Sequence, residues 1–103
     1  MKVQITRDAN KQLINVFGVE PTIKINEVRT SGWGATYMYE LAQVEHVNND
    51  KVFKVDEITI FIDPLVITHL DGDIVIDHNK NYGFILKNNY EILTFGMKIN
   101  KSK

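Results

Sequence analysis

Val28-Arg29-Thr30-Ser31-Gly32-Trp33-Gly34 is the stretch that decides how the fold is predicted, because a strand here runs into a turn between two glycines. Glycine tolerates positive φ and close backbone approach. Thr30 and Ser31 favour turn geometry through local side-chain hydrogen bonds. We therefore predict a loop that carries Trp33, the only tryptophan of the chain, at its apex.

Strands are predicted on both sides of this loop. Apolar and polar residues alternate from Thr22 to Arg29, until Glu27 falls where an apolar residue is due, and we attribute that slip to a β-bulge. The next strand is predicted from Ala35 to Val44. Its alternation places three large side chains on one face: Tyr37, Tyr39 and Leu41.

Two helices are predicted from their capping residues. Thr6 precedes a helical pattern that continues to Phe17, with Gly18 just beyond its end. Asp63 and Pro64 form a favoured N-cap and first-turn pair, which predicts a short helix from Pro64 to His69. The remaining apolar runs are short and separated by turn residues, so the predicted class is α+β with mostly antiparallel strands.

The order of these motifs resembles the HesB/IscA-like family of iron–sulfur cluster assembly proteins, the A-type carriers. The resemblance rests on the Val28–Gly32 turn, Leu70-Asp71-Gly72, Gly83-Phe84 and Phe95-Gly96-Met97. It covers residues 1–97 as one domain and leaves 98–103 as a lysine-rich tail. It implies a curved, sandwich-like β fold with one main helix near the N-terminus, and it makes a homodimer or homotetramer an expectation.

The chain departs from this family at the cluster ligands. In the family the turn reads V-R-T-S-G-C-S-G and a later segment reads C-G-C, whereas Trp33, Phe95 and Met97 stand at those positions here. The chain contains no cysteine. Iron–sulfur clusters are held mainly by thiolates, so the family's usual ligation is excluded. We therefore expect no cofactor. Iron or an iron–sulfur cluster is implied only by the resemblance.

Two roles are open for the residues at the lost ligand positions. If the family geometry holds, Trp33, Phe95 and Met97 approach one another and form an apolar cluster that packs where metal would bind. Alternatively, they form an exposed surface for a partner or a second copy. The residues predicted for that surface are Trp33, Tyr37, Tyr39, Phe95 and Met97.

A metal site without sulfur is a separate hypothesis. Imidazole and carboxylate groups bind iron or zinc, and the candidate ligands are His69, Asp71, Asp73 and His78. Their spacing argues against it, since Asp73 and His78 point to opposite faces of a strand. A further alternative is an unrelated small ligand in a pocket lined by Trp33, Tyr37 and Tyr39.

Composition excludes several classes of protein. The formal net charge is −1 and the basic residues form no stripe, so we expect no nucleic-acid partner. The N-terminus has no apolar segment of signal-peptide length, and no run is long enough to span a membrane. We expect a cytoplasmic protein, and its richness in Ile, Asn and Lys suggests a bacterial source.

Enzyme motifs are missing from the sequence. It has no cysteine nucleophile, no G-x-S-x-G elbow, no phosphate-binding loop and no H-E-x-x-H pair. The expected function is therefore that of a HesB/IscA-like protein without thiolate ligands, acting as an accessory or protein-interaction module and not as an enzyme.

Overall fold

A computed structural model describes residues 1–30, 36–45 and 49–101. These residues form two helices and nine strands. In chain order the elements are β1 (Val3–Ile5), α1 (Arg7–Phe17), β2 (Thr22–Thr30), β3 (Thr36–Gln43), β4 (Lys51–Val55), β5 (Ile58–Ile62), α2 (Pro64–Leu70), β6 (Ile74–Asn79), β7 (Gly83–Asn88), β8 (Ile92–Phe95) and β9 (Lys98–Asn100).

The strands form two sheets. One has four strands in the order β1-β6-β7-β8, and the other has five in the order β4-β5-β2-β3-β9. The β1–β6, β2–β5 and β3–β9 pairs are parallel, and the other four pairs are antiparallel. The predicted α+β class, with mostly antiparallel strands and one main N-terminal helix, is confirmed.

Both predicted helix starts are confirmed in atomic detail. The Thr6 hydroxyl accepts a hydrogen bond from the Ala9 N–H at 3.3 Å, which satisfies one of the free donors of the first turn of α1. The Asp63 carboxylate accepts one from the Leu65 N–H at 2.8 Å, with Pro64 in the first turn of α2. Local sequence alone therefore sets where these helices begin.

One core joins both sheets and both helices. Leu13 of α1 is fully buried, as are Ile23 and Ile25 of β2, and the two helices and both sheets contribute to the same apolar cluster. The core lies on the alternate strand residues that the apolar pattern marks, such as Ile58, Ile60 and Ile62, all fully buried. No helix in the described ranges has the length and apolar content needed to cross a membrane.

Two predicted features differ from the structure. The β2–β3 register is unbroken from Ile23↔Gln43 to Thr30↔Thr36, so the bulge predicted near Glu27 is wrong. The second difference concerns the end of the chain: Lys98–Asn100, which the sequence places in a tail, are strand β9 and pair with β3. Ile99 packs against the core, which explains why this segment joins the sheet.

Candidate functional site

A partly buried polar cluster occupies the place where the apolar pattern of β2 is interrupted. Glu27 accepts a hydrogen bond from the Tyr39 hydroxyl at 2.9 Å, and its other carboxylate oxygen lies 2.7 Å from His69 Nδ1. The His69 ring stacks on Tyr37, with ring centroids 4.9 Å apart. We call these four residues the Glu27 cluster.

Three elements bring the Glu27 cluster together. Glu27 of β2 and Tyr39 of β3 are direct cross-strand partners, so their side chains share a face of the five-stranded sheet. The short helix α2 then brings His69 over that face. The Glu27 side chain is only 10% exposed, so an acidic residue stands at a nearly buried position because both its oxygens have partners.

Burial sets the ionisation of the phenol in this cluster. It raises the pKa of Tyr39 well above its usual value, and the hydrogen bond to Glu27 and the negative charge of that carboxylate raise it further. Tyr39 is therefore a stable hydrogen-bond donor at neutral pH. The cluster fastens α2 to the sheet, and the sequence signalled it only through the misplaced acidic residue.

The structure does not bring the predicted metal ligands together. His69 pairs with Glu27, and Asp73 accepts a hydrogen bond from the Lys2 N–H at 2.8 Å. Asp71 ends α2 with φ 56°, while His78 lies edge-on to Phe84 with centroids 4.8 Å apart. Within residues 1–30, 36–45 and 49–101, no three His, Asp or Glu side chains are grouped so as to hold a metal ion.

The residues that the resemblance matches to the cluster ligands differ in their surroundings. Met97 is 4% exposed and belongs to the core, whereas Phe95 is 54% exposed. Gly96, between them, adopts φ 61°, and a Cβ there would approach the Tyr82 carbonyl oxygen to 2.9 Å, so the turn requires glycine. Trp33 lies outside the described residues, so the predicted three-residue cluster is described only for Phe95 and Met97, whose side chains do not share one environment.

Burial also corrects the predicted interaction surface. Tyr39 is 5% exposed with its hydroxyl held by Glu27, and Tyr37 packs against the core and His69, so neither forms an open platform. Met97 is as deeply buried as Tyr39. Of the described residues predicted for that surface, Phe95 alone is largely exposed, because it lies on the opposite face of its strand from the core.

Four of the exposed large apolar side chains in the described residues belong to β8 and to the turns on either side of β7. Phe95 contacts Tyr82, with ring centroids 5.4 Å apart. The register shifts at the Leu86–Lys87 step, so Ile92 pairs with Lys87 while Phe95 pairs with Ile85. Ile92 and Phe95 therefore lie on one face, although they are three residues apart. We call the exposed apolar residues of this segment the hairpin surface: Tyr82, Tyr90, Ile92 and Phe95.

A second polar centre lies beside that face. Asp77 of β6 accepts hydrogen bonds from the Thr6 hydroxyl at 2.7 Å and from Lys87 Nζ at 3.3 Å. The Thr6 hydrogen bond is the main reason why the pKa of Asp77 is lowered, and the His78 N–H and Lys87 act in the same direction against partial burial. Asp77 thereby ties the start of α1 to the four-stranded sheet.

Comparison with known proteins identifies the fold. No family model and no curated protein matches this sequence. A Lactobacillus acidophilus protein ascribed to Fe-S biosynthesis has a similar structure, with TM-score 0.72, 16% identity, and coverage of 98% of this chain and 90% of that one. IscA with a 2Fe–2S cluster is similar with a TM-score of 0.66 and 17% identity, over 93% of this chain and 98% of IscA. Escherichia coli SufA is similar with a TM-score of 0.57 and 16% identity, over 92% of this chain and 84% of SufA.

The chain thus has the fold of IscA, SufA and related Fe-S biosynthesis proteins. The resemblance seen in the sequence motifs is confirmed at the level of the fold. Its donor set does not fit an iron–sulfur cluster held as thiolates hold one, because the chain has no cysteine. Phe95 offers no ligand atom, and Met97 has only a thioether, which is buried in the core.

Proposed function

We propose that this chain is a non-catalytic accessory protein of iron–sulfur cluster biosynthesis that acts through protein contacts and not by carrying a cluster. The observation that carries the proposal is a fold shared with IscA over 93% of the chain, combined with the absence of every cysteine. The same scaffold is retained while the chemistry that would hold a cluster through thiolates is missing.

The hairpin surface supports a role in protein contacts. Phe95 stands where the resemblance places a cluster ligand, and it is more than half exposed in a chain that buries most of its large apolar residues. Exposed aromatic side chains that adjoin one another mark interaction sites more often than isolated ones do. In this proposal the former ligand segment has become a docking surface, and the protein is not an enzyme.

Anaerobic reconstitution with ferrous iron and sulfide tests the first half of the proposal. We expect the purified chain to retain no iron and to show no iron–sulfur absorbance after desalting, because no thiolate is present. IscA, whose structure contains a 2Fe–2S cluster, is treated in parallel as the positive control. Stoichiometric iron on this chain would contradict the proposal and would direct attention to His69 and the other predicted His and Asp ligands.

Direct binding assays test the second half. Each purified protein of the host's iron–sulfur assembly pathway is passed over the immobilised chain. We expect at least one to be retained by the wild type and released by Phe95→Asp. Met38→Asp is the matched control, since Met38 is exposed to a similar degree on the outer face of the other sheet. Equal retention by the wild type and by Phe95→Asp, or no retention of any assembly protein, would count against the proposal.

A further inference from the structure

A groove of about 830 Å³ lies between α1 and the turn that joins β4 to β5. Its volume is in the range of small-molecule binding sites, about 300–1,000 Å³. Ile5 of β1 and Ile14 of α1 supply part of its lining, and both are only partly buried, so the groove offers apolar surface to a ligand. None of its described lining residues belongs to the Glu27 cluster or to the hairpin surface.

The two sides of the groove carry opposite charges. Arg7 and Lys11 lie one turn apart on α1. On the other side, Asp56 and Glu57 form the two-residue turn between β4 and β5. Among the described residues, none of these four takes part in an ion pair. Cations and anions that line one groove without pairing are available to a ligand that carries both signs of charge.

Several residues at or beside the groove conflict with local stability. Asp56 adopts φ 55° in a hairpin turn, a conformation that favours glycine. Glu20 also has a positive φ, 51°, and it lines a neighbouring cleft with Asp56, Glu57 and Lys54, although Lys54 forms no ion pair there. Arg7 stands in the first turn of α1, where the helix dipole disfavours a cation. Residues that oppose local stability in this way are expected at functional sites.

We propose that this groove binds a small zwitterion whose carboxylate and ammonium groups are joined by an apolar chain. The two cations of α1 hold the carboxylate, and the two carboxylates of the turn hold the ammonium group. The apolar chain lies against Ile5 and Ile14. Ion pairs in contact with solvent contribute modestly, so we expect a dissociation constant of about 1 mM. This site is additional to the proposed function and does not rest on it.

Titration with ε-aminocaproate, followed by heteronuclear NMR, tests the site. This probe carries its two charges at opposite ends of an unbranched chain. We expect the backbone amide signals of Arg7, Lys11, Asp56 and Glu57 to shift together and to saturate. Caproate and hexylamine each carry only one of the charges and should bind at least about fivefold more weakly. Equal binding of either compound, or the absence of a saturable shift at these residues, would overturn the inference.

Asp56→Gly separates binding from folding. Glycine suits the positive φ, so the variant should melt no lower than the wild type while it binds ε-aminocaproate at least about fivefold more weakly. Asp71→Gly is the matched control, because Asp71 has φ 56° at the end of α2, outside the groove. It should bind the probe as the wild type does. Full binding by Asp56→Gly, or equal weakening in both variants, would contradict the proposed site.

Arg7→Glu tests the opposite side of the groove. An acidic residue in the first turn of α1 is favoured by the helix dipole, so the melting temperature should not fall. The carboxylate of the probe would meet a like charge, and binding should weaken at least about tenfold. Lys98→Glu makes the same kind of charge change in β9, outside the groove, and should alter the dissociation constant by less than about twofold. An equal loss of binding in Lys98→Glu would show an effect of net charge alone and would overturn the site.

Discussion

The Glu27 cluster and the hairpin surface reverse the usual placement of polar and apolar side chains. The first puts a carboxylate, an imidazole and two phenols against the core, whereas the second leaves three aromatic rings and an isoleucine in solvent. Buried polar groups are retained when every one of them has a partner. Exposed apolar groups cost the folded chain little, so their use is to be sought in contacts with other molecules.

Among the substitutions of polar residues, the largest expected effect is that of Glu27→Ala. It removes the acceptor of the Tyr39 hydroxyl and the partner of His69 at once, so we expect the free energy of unfolding to fall by about 2–4 kcal/mol. Urea denaturation measures it. Glu40→Ala is the matched control, since Glu40 accepts a hydrogen bond from Asn26 on the outer face of the same strands, and it should cost under about 1 kcal/mol. Equal losses would show that the cluster has no special role.

Tyr39→Phe sharpens the same side of the comparison through pH. Because the pKa of Tyr39 is raised in the folded state, the unfolded chain loses its proton first as pH rises above about 10. The contribution of Tyr39 to the free energy of unfolding is thus fully present below that pH and decreases above it. We expect the variant to lose about 1–2 kcal/mol at neutral pH and to show a shallower alkaline decline. Identical alkaline slopes in urea titrations would contradict this.

Asp77→Asn tests the polar centre beside the hairpin surface, with a smaller expected effect. The pKa of Asp77 is lowered by Thr6, so its contribution is present above the usual aspartate range and is lost as pH falls through the folded-state value. We expect the variant to be slightly less stable at pH 7 and to have a flatter acid limb in thermal melts. Asp56→Asn, in the turn between β4 and β5, provides the comparison.

The smallest expected effect on stability is that of Phe95→Ser. Its ring is mostly in solvent, so the free energy of unfolding should change by no more than about 0.5 kcal/mol. Met97→Ser, two residues later, removes a buried side chain and should cost about 2–4 kcal/mol. Urea denaturation measures the free energy of unfolding of both variants. Similar decreases in the two would contradict the assignment of Phe95 to the surface and Met97 to the core.

Local signals predicted much of the fold. The caps Thr6 and Asp63 act on backbone groups two or three residues away, so their helices begin where the sequence places them. The alternation of Ile58, Ile60 and Ile62 marks the buried face of β5 because the side-chain period of a strand is two. The absence of cysteine excludes thiolate ligation of a cluster in any conformation of this chain.

Tertiary structure decided the rest, because the groups concerned meet across long stretches of chain. Glu27 and His69 are 42 positions apart, and no local pattern shows that α2 will deliver an imidazole to that carboxylate. In the sequence, Glu27 therefore suggests a bulge, whereas in the structure it is a partly buried hydrogen-bond acceptor. The sequence likewise predicts that Phe95 and Met97 share a role, either in an apolar cluster or on an exposed surface. In the structure, Gly96 lies between them, and the Phe95 side chain is in solvent while that of Met97 is in the core.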